Sequence, residues 1–314
     1  MNAKLLSVIL LSYFSEPRLK STCEKIIVKL EQEQIPFELI IMDDGSKDRS
    51  FEIAKKLARQ EPRIRAFQLS KNYTSPYSQF AGLSVAKGAC AVPIPDDLQR
   101  PLDTVVKMYR KWEEGMKVVV AYRTSRDDGR INDFFSNLYY KLMNRFSSVQ
   151  FPPGGADGFL ADREVIDLLV NRIHPINTST VIEVLRLGFD PCFLPYDRPK
   201  KEVKSRWTLK KKIRLALDTF FASSSFPIRA ITILGLVTFL VCFFLILLLV
   251  YGKLFTDNTL FGYPIQGWTT TVIFITMFNG LILLSLGIVA EYILRIFEEV
   301  KNRPGFIIKN QEEE

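Results

Sequence analysis

Short apolar runs alternate with amphipathic stretches along the first two thirds of the chain. Five runs are rich in β-branched and aromatic residues: "SVILLSYF", "FELIIMDDGS", "RAFQLS", "ACAVPIP" and "KVVVAY". Stretches with helical periodicity lie between them, at residues 17–34, 50–59, 76–87 and 102–112. Buried strands separated by helices predict βαβ units and a mostly parallel sheet covered on both faces. We therefore predict an α/β domain over residues 1–205.

Two longer apolar runs follow, from Ala230 to Gly252 and from about Thr269 to Ala290. Each is close to the ~20 residues that cross a hydrocarbon core. We predict transmembrane helices at 229–252 and 269–292 with an external loop at 253–268. Lysines and arginines flank the outer ends of both runs, so the positive-inside rule places the 293–314 tail, the N-terminus and the α/β domain in the cytoplasm. The expected location is the plasma membrane, as a multi-pass protein.

The stretch "TLKKKIRLALDTFFASSSFPIR" places apolar residues at helical spacing, with its lysines largely on the other side. This pattern predicts an amphipathic helix at 206–228 that lies on the anionic inner leaflet. An ordinary amphipathic helix packed on the α/β domain is the alternative. Because the basic residues concentrate beside the predicted spans, we expect a membrane rather than nucleic acid as the partner of the formal charge of +8.

Composition excludes several other classes of site. The four cysteines of this 314-residue chain are far apart and form no CxxC motif, which argues against a disulfide framework and a zinc site. The single histidine, His174, has no second histidine with which to share a metal and is predicted to be a loop residue. The apolar N-terminus could pass as a secretory signal, but no small-residue cleavage site follows it, and a buried first strand is the better interpretation.

Carboxylates stand where several predicted strands end: Glu16, the pair Asp43 and Asp44, the pair Asp96 and Asp97, and Asp157. Open parallel sheets bind ligands beyond the carboxyl ends of their strands, near the point where strand order reverses. Carboxylates gathered there would repel a nucleotide diphosphate unless Mg²⁺ or Mn²⁺ intervened, and Lys71 could add a positive contact. Taken alone, "DDGS" is also a good turn or helix-cap sequence.

The motifs, in their order, resemble those of family 2 glycosyltransferases of GT-A fold, and among them the membrane-anchored polyprenyl-phosphate glycosyltransferases. The resemblance runs nearly from end to end. It rests on "DDGS" at 43–46, "LSKN" at 69–72 followed by Ala81-Gly82, "PDDLQ" at 95–99, "AYRTSR" at 121–126, "ADGFLA" at 156–161 and Arg303-Pro304. It implies a GT-A, Rossmann-like sheet domain followed by the interfacial helix and a two-helix transmembrane hairpin.

The resemblance also implies a role for each matching residue. The nucleotide sugar would be bound by Glu16, Asp43, Asp44, Lys71 and Asp96. Asp97 would bind Mg²⁺ or Mn²⁺, and the acceptor phosphate would be held by Arg123, Arg126, Arg206 and Lys210. Asp157 would act with Asp97 at the reaction centre, either as a base or as an orienter of the acceptor. Pro95 stands where the family motif has its first acid, and whether Asp96 compensates for it is left open.

The implied reaction is the inverting transfer of one sugar from a nucleotide sugar, expected to be a UDP-hexose, to a polyprenyl phosphate, expected to be undecaprenyl phosphate. The product would serve cell-envelope glycan modification, and a homo-oligomeric assembly is left open. A processive polysaccharide synthase is one alternative, although "VKSRW" has Val203 where its QxxRW motif needs glutamine. A degenerate relative that binds a partner without catalysis is the other, and Pro95 favours it.

Overall fold

The computed structural model describes residues 4–124, 155–176, 179–197, 267–301 and 303–309, together with shorter stretches between 149 and 152 and between 231 and 264. The strands are β1 (Leu6–Ser12), β2 (Phe37–Asp43), β3 (Ile64–Gln68), β4 (Cys90–Pro95), β5 (Val118–Arg123), β6 (Ala156–Asp162), β7 (Pro191–Tyr196), β8 (Thr259–Leu260) and β9 (Tyr263–Pro264). The helices are α1 (Leu19–Gln32), α2 (Ser50–Gln60), α3 (Ser75–Val85), α4 (Leu102–Glu113), α5 (Arg163–Arg172), α6 (Thr180–Arg186) and α7 (Gly267–Val300).

Seven strands form one sheet in the order β3-β2-β1-β4-β6-β5-β7. Six of them run parallel and β6 runs antiparallel to its neighbours β4 and β5. The order turns at β1, which pairs with β2 on one side and β4 on the other. This reversal opens a crevice beyond the carboxyl ends of the strands.

Alternation of side chains along the strands supplies a core on each face of the sheet. Val8 and Leu10 face a cluster completed by α1, α2 and α4, whereas Ile9 between them faces a cluster completed by α3, α5 and α6. β2 is buried along its whole length, as expected for a parallel strand covered on both sides. The predicted α/β class with a mostly parallel sheet is confirmed.

The first five predicted strands and four predicted helices are present, with ends that differ by a few residues; the helix predicted at 17–34, for example, is Leu19–Gln32. β6 and β7 were not predicted as strands. β6 contains Asp157, and its antiparallel direction brings the start of this strand to the edge where the parallel strands end.

The chain divides into two compact units, one formed by Met1–Ser223 with Arg303–Glu314 and the other by Ser224–Asn302. In the second unit, α7 covers the predicted second span, and several residues between 231 and 255 are also helical. Within the part of the chain that the structure describes, no helix has the length and apolarity needed to cross a membrane. The predicted transmembrane hairpin is therefore not confirmed, and the predicted interfacial helix at 206–228 lies outside the described residues.

Candidate active site

The acidic pairs predicted from the sequence lie at one edge of the sheet. β2 ends at Asp43, β4 ends immediately before Asp96, and β6 begins beside Asp157. Because β6 is antiparallel, its first residues and the last residues of β1, β2, β4 and β5 share this edge. The edge includes the reversal of strand order between β1 and β4, which makes it the candidate active site.

Asp43 is fully buried and is held by its own turn. Its carboxylate accepts hydrogen bonds from the Ser46 backbone N–H at 2.9 Å and the Ser46 hydroxyl at 2.5 Å. The Gln68 side chain, at the end of β3, donates to the same carboxylate at 2.9 Å. Asp43 therefore closes the "DDGS" turn and joins the ends of β2 and β3.

Asp44 anchors the loop that enters α3. Its two carboxylate oxygens accept from the backbone N–H groups of Tyr73 at 2.8 Å and Thr74 at 2.9 Å. Burial raises the pKa of Asp44 to about 6, against the lowering effect of these hydrogen bonds. The carboxylate of Asp44 is thus bound to backbone N–H groups, and through them it positions the loop that carries Lys71.

Lys71 has an exposed side chain whose Nζ lies 5.0 Å from the centre of the Tyr73 ring. Its backbone packs against the "DDGS" turn, since a Cβ on Gly45 would lie 2.5 Å from the Lys71 carbonyl carbon. Gly45 also has a φ of +67°, which favours glycine. The turn after β2 and the loop after β3 are therefore in direct contact, and glycine at position 45 is required for both reasons.

Glu16 lies beyond the end of β1 and forms an ion pair with Arg49 at 2.9 Å. Its backbone N–H donates to Asp48 at 3.3 Å. These residues line a groove with Phe14 and Glu52. Glu16 is therefore at the predicted edge, in a charged groove between the end of β1 and the start of α2.

The opening of the "PDDLQ" segment is a tight turn. The Leu98 N–H donates to the Pro95 carbonyl at 3.3 Å, and Leu98 has a φ of +46°. Asp96 is buried inside this turn, where its Oδ2 accepts from the Ser15 hydroxyl and from Arg18, whose Nη2 is 2.7 Å away. Its backbone carbonyl accepts from Thr22 at 3.0 Å. Asp96 thus ties the end of β4 to the start of α1.

Asp97 is exposed, unlike its buried neighbour Asp96 and the buried pair Asp43 and Asp44. Its Oδ2 accepts a hydrogen bond from the Gln99 side chain. No group of three or more histidine, cysteine or acidic residues that could hold a metal occurs among the described residues. A single exposed carboxylate fits Mg²⁺ or Mn²⁺, because such ions take one or two protein carboxylates and complete their shell with substrate phosphates and water.

Asp157 is held between two neighbouring strands. Its Oδ1 lies 2.5 Å from Nη2 of Arg123, the last residue of β5, and its Oδ2 accepts from the hydroxyl of Tyr196, the last residue of β7. Burial, followed by the charge of Asp157, raises the pKa of Tyr196 to about 12. Burial acts to lower the pKa of Arg123, but Asp157 raises it overall. The cluster therefore contains a carboxylate, a guanidinium and a neutral phenol.

Arg100 is a site residue that the sequence reasoning missed. Pairing between β4 and β6 is confined to Cys90 and Ala91 on the β4 side, and the fully buried Arg100 guanidinium lies beyond the last pair. Its Nη2 donates to the Pro93 carbonyl at 2.6 Å, and a Cβ on Gly158 would lie 2.2 Å from its Nη1. Arg100 thus connects the "PDDLQ" segment to the strand of Asp157. The only signal in the sequence was an arginine beside the acidic pair.

Three non-glycine residues of these loops have left-handed backbone conformations: Phe14 at φ +50°, Thr74 at φ +78° and Leu98 at φ +46°. Such residues cost about 1–3 kcal/mol each and persist where the surrounding structure fixes them. They follow β1, β3 and β4, the same strands that surround the reversal of strand order. Their clustering supports a functional role for this edge. The sequence pattern does not predict these backbone conformations.

The predicted site residues thus separate into three groups. Around the ends of β1 to β4 gather Glu16, Asp43, Asp44, Lys71, Asp96 and Asp97. Arg123 and Asp157 meet at the end of β5 and the start of β6. Arg126, Arg206 and Lys210 lie outside the described residues, and the acceptor role predicted for them stays a prediction.

Comparison with known proteins indicates the same family as the sequence motifs. The model of the family described as "Glycosyl transferase family 2" matches residues 7–169. The chain is 30% identical over 308 residues to "Uncharacterized glycosyltransferase YkcC" of Bacillus subtilis, covering 96% of this chain and 93% of that one. It is 31% identical over 288 residues to "Bactoprenol glucosyl transferase" of Shigella phage SfV, covering 90% and 91%.

Among solved structures, glucosyl-3-phosphoglycerate synthase from Mycobacterium tuberculosis in complex with UDP is 20% identical, with a TM-score of 0.47, over 68% of this chain and 76% of that one. A TM-score of 0.47 is too low for this likeness to say anything about the site. The family match ends at residue 169, before β7, whereas the two relatives cover 96% and 90% of the chain and so include all the strand-end loops described above.

Proposed function

Because the chain belongs to glycosyl transferase family 2, we propose that it transfers one sugar from a nucleotide sugar to a polyprenyl phosphate, with inversion at the anomeric carbon. Undecaprenyl phosphate is the proposed acceptor and a UDP-hexose the proposed donor. The relatives named bactoprenol glucosyl transferase support a polyprenol acceptor and glucose as the first sugar to test. The product is a polyprenyl-phosphate sugar for cell-envelope glycans.

The observation that carries this proposal is the meeting of two differently charged regions at one edge of the sheet. The ends of β2 and β4, on either side of β1, bring the acids Asp43 and Asp97, with Lys71, to the reversal of strand order. The end of β5, two strands beyond β4, brings Arg123, paired with Asp157, to the same edge further along the sheet. A donor that carries a diphosphate and an acceptor that carries a phosphate need two such regions next to each other.

In the proposed reaction, an oxygen of the polyprenyl phosphate forms a bond to the anomeric carbon. The bond between that carbon and the diphosphate oxygen breaks, and its electron pair leaves with the nucleoside diphosphate. A phosphate monoester, with a second pKa of about 6, is already mostly dianionic near neutral pH. The site therefore needs to position the two substrates and to neutralise charge more than to remove a proton.

The surroundings of Asp157 support an orienting role rather than that of a base. Both of its oxygens are engaged, one by Arg123 and the other by Tyr196. A carboxylate paired in this way fixes the direction of the Arg123 guanidinium. Arg123 would then face the acceptor phosphate and Lys71 the leaving diphosphate.

Asp97 is the residue that would hold Mg²⁺ or Mn²⁺, which would supply positive charge to the diphosphate of the donor. Gln99 orients the carboxylate through its hydrogen bond to Oδ2. Asp96 does not replace the acid missing at Pro95 in this arrangement, because its Oδ2 is bound to Ser15 and Arg18.

We also propose that the reaction occurs at the cytoplasmic face of the plasma membrane, where the phosphate of a long isoprenoid is accessible. The apolar runs at 230–252 and 269–290 support this location. So do the exposed apolar side chains of α7, which include Ile282, Leu283 and Leu286.

The test is an assay of purified full-length protein with labelled UDP-sugars, undecaprenyl phosphate and Mg²⁺ or Mn²⁺, followed by extraction of the lipid phase. Undecaprenol without phosphate is the matched control and should accept no sugar. One sugar per lipid supports the proposal, and a growing polymer would indicate a processive synthase. Absence of transfer from every donor would indicate a non-catalytic relative.

A further inference from the structure

Residues 303–309 return to the sheet of the first unit and add a short antiparallel segment at its outer side. Ile308 forms a bridge with Leu69, just after β3. The Ser70 N–H donates to the Ile307 carbonyl at 2.9 Å, and the Lys309 N–H donates to the Gln68 carbonyl at 2.7 Å. β3 is the first strand in the sheet order, so this side would otherwise present unpaired backbone groups.

The side chains of the segment alternate as in a strand. Phe306 and Ile308 pack against the core cluster that contains Leu69 and Phe80, whereas Ile307 between them is 50% exposed. The segment is therefore held by its backbone and by two inward side chains. This alternation supplies a matched pair of neighbouring isoleucines for an experiment.

The stretch covered by this segment leads directly into the candidate donor site. On its inner side, the Leu69 N–H donates to the Asp43 carbonyl at 2.8 Å. The Gln68 side chain donates to the Asp43 carboxylate. Residues 68–70 are thus bonded on both sides, and the next residue is Lys71, whose backbone lies against Gly45.

We propose that the C-terminal segment Pro304–Lys309 is a positioning element of the donor site, which fixes residues 68–70 and through them Lys71 and the "DDGS" turn. The site assignment rests on the proposed function, but the mechanical part does not. A segment that merely covered a sheet edge would change the stability of the fold without changing donor affinity selectively.

The test compares Ile308→Asp with Ile307→Asp in the full-length chain. A charge on Ile308 has to enter the core cluster, whereas a charge on Ile307 remains in solvent. Ile308→Asp should raise hydrogen exchange of the Ser70 amide, weaken binding of UDP with Mn²⁺ and raise the donor KM, each by roughly 10-fold. The acceptor KM should not change, and Ile307→Asp should match the parent chain in all of these measurements.

A second variant guards against general unfolding. Deletion of residues 303–314 should weaken UDP binding, and a synthetic peptide of sequence RPGFIIKNQEEE added in trans should restore it. Restoration shows that the shortened chain is folded and that the segment acts on the donor site. The proposal is overturned if Ile308→Asp raises exchange at Ser70 while UDP affinity is unchanged, or if the donor and acceptor KM values rise together. Hydrogen exchange at Ser70 and binding of UDP can both be measured even if the protein transfers no sugar. Failure of the proposed function can therefore be told apart from failure of this inference.

Discussion

The guanidinium of Arg100 occupies the space that a side chain on Gly158 would need, since the Cβ of such a side chain would lie 2.2 Å from Arg100 Nη1. The two residues belong to different parts of the candidate site. Arg100 follows the acidic pair after β4, and Gly158 follows Asp157 in β6. Their contact replaces the backbone pairing that β4 and β6 lack beyond Ala91. One buried side chain thus joins the two parts of the candidate site to which the proposed function assigns the donor and the acceptor.

Gly158→Ala should lower the free energy of unfolding by about 1–3 kcal/mol, the usual cost of overpacking a well-packed interior. In an Arg100→Ala background the same change should cost much less, because the space is vacant. Urea denaturation of the four chains of this double-mutant cycle measures the coupling. Costs that simply add would show that the two residues do not compete for the space.

Removal of the charge of Asp96 should mainly lower the stability of the fold, whereas removal of the charge of its neighbour Asp97 should mainly lower sugar transfer. Asp96→Asn weakens the contact with Arg18 and should lower the free energy of unfolding by about 1–3 kcal/mol. Asp97→Asn changes an exposed side chain and should alter stability by less than about 0.5 kcal/mol, while sugar transfer falls by at least about 100-fold if this carboxylate holds the metal.

Urea denaturation and the lipid-transfer assay measure these two effects, and titration of UDP binding with Mn²⁺ identifies the metal-dependent part. Each variant is the matched control of the other. If Asp96→Asn abolished transfer while the fold kept its stability, Asp96 would be the ligand that compensates for Pro95, and the structural role assigned to it would be wrong.

The strand and helix pattern predicted the first half of the sheet because parallel βαβ units leave strong local signals. β2, for example, is apolar from Leu39 to Met42. β6 and β7 were not recognised, since "ADGFLAD" and "PCFLPY" are short, contain glycine or proline, and depend on pairing with β5, which is distant in sequence. The tail after Arg303 was predicted only as a cytoplasmic tail, because nothing local indicates that Ile308 pairs with Leu69.

Among the site residues, the sequence predicted which acids lie at the strand ends but not which atoms they contact. Asp44 and Asp96 resemble ligand-binding acids in sequence, yet one binds backbone N–H groups and the other binds Ser15 and Arg18. Tyr196 could not be selected, because its role depends on the adjacency of β5 and β7. Contacts between distant segments decided each of these differences.

Asp44 should make the stability of the fold depend on pH between about 4 and about 6. Its pKa is raised from 3.8 to about 6 by burial, so the folded chain binds the proton more readily than the unfolded chain. The stability that this group contributes is therefore present at low pH and declines as pH rises through that window. After allowance for solvent screening, the decline should be about 1 kcal/mol.

The measurement is the difference in free energy of unfolding between the parent chain and Asp44→Asn, by urea denaturation at pH 4.5 and pH 7. The loss of hydrogen bonds to Tyr73 and Thr74 occurs at both pH values and cancels from the comparison. The parent chain should lose its relative stability at pH 7. A difference that stays constant, or that grows in favour of the parent chain, contradicts the raised pKa.

Tyr196 should act as a neutral hydrogen-bond donor to Asp157 throughout the range in which the enzyme can be assayed. Its pKa is raised to about 12, so ionisation of its hydroxyl should cause no loss of rate between about pH 7 and pH 10. Tyr196→Phe leaves one oxygen of Asp157 without its donor and allows the Asp157–Arg123 pair to turn. We expect turnover to fall roughly 10-fold while stability falls by about 1 kcal/mol.

Tyr122→Phe, on the adjacent strand β5, is the matched control and should keep full turnover. Equal losses in both tyrosine variants would mean that packing, rather than the hydrogen bond to Asp157, is what the site requires.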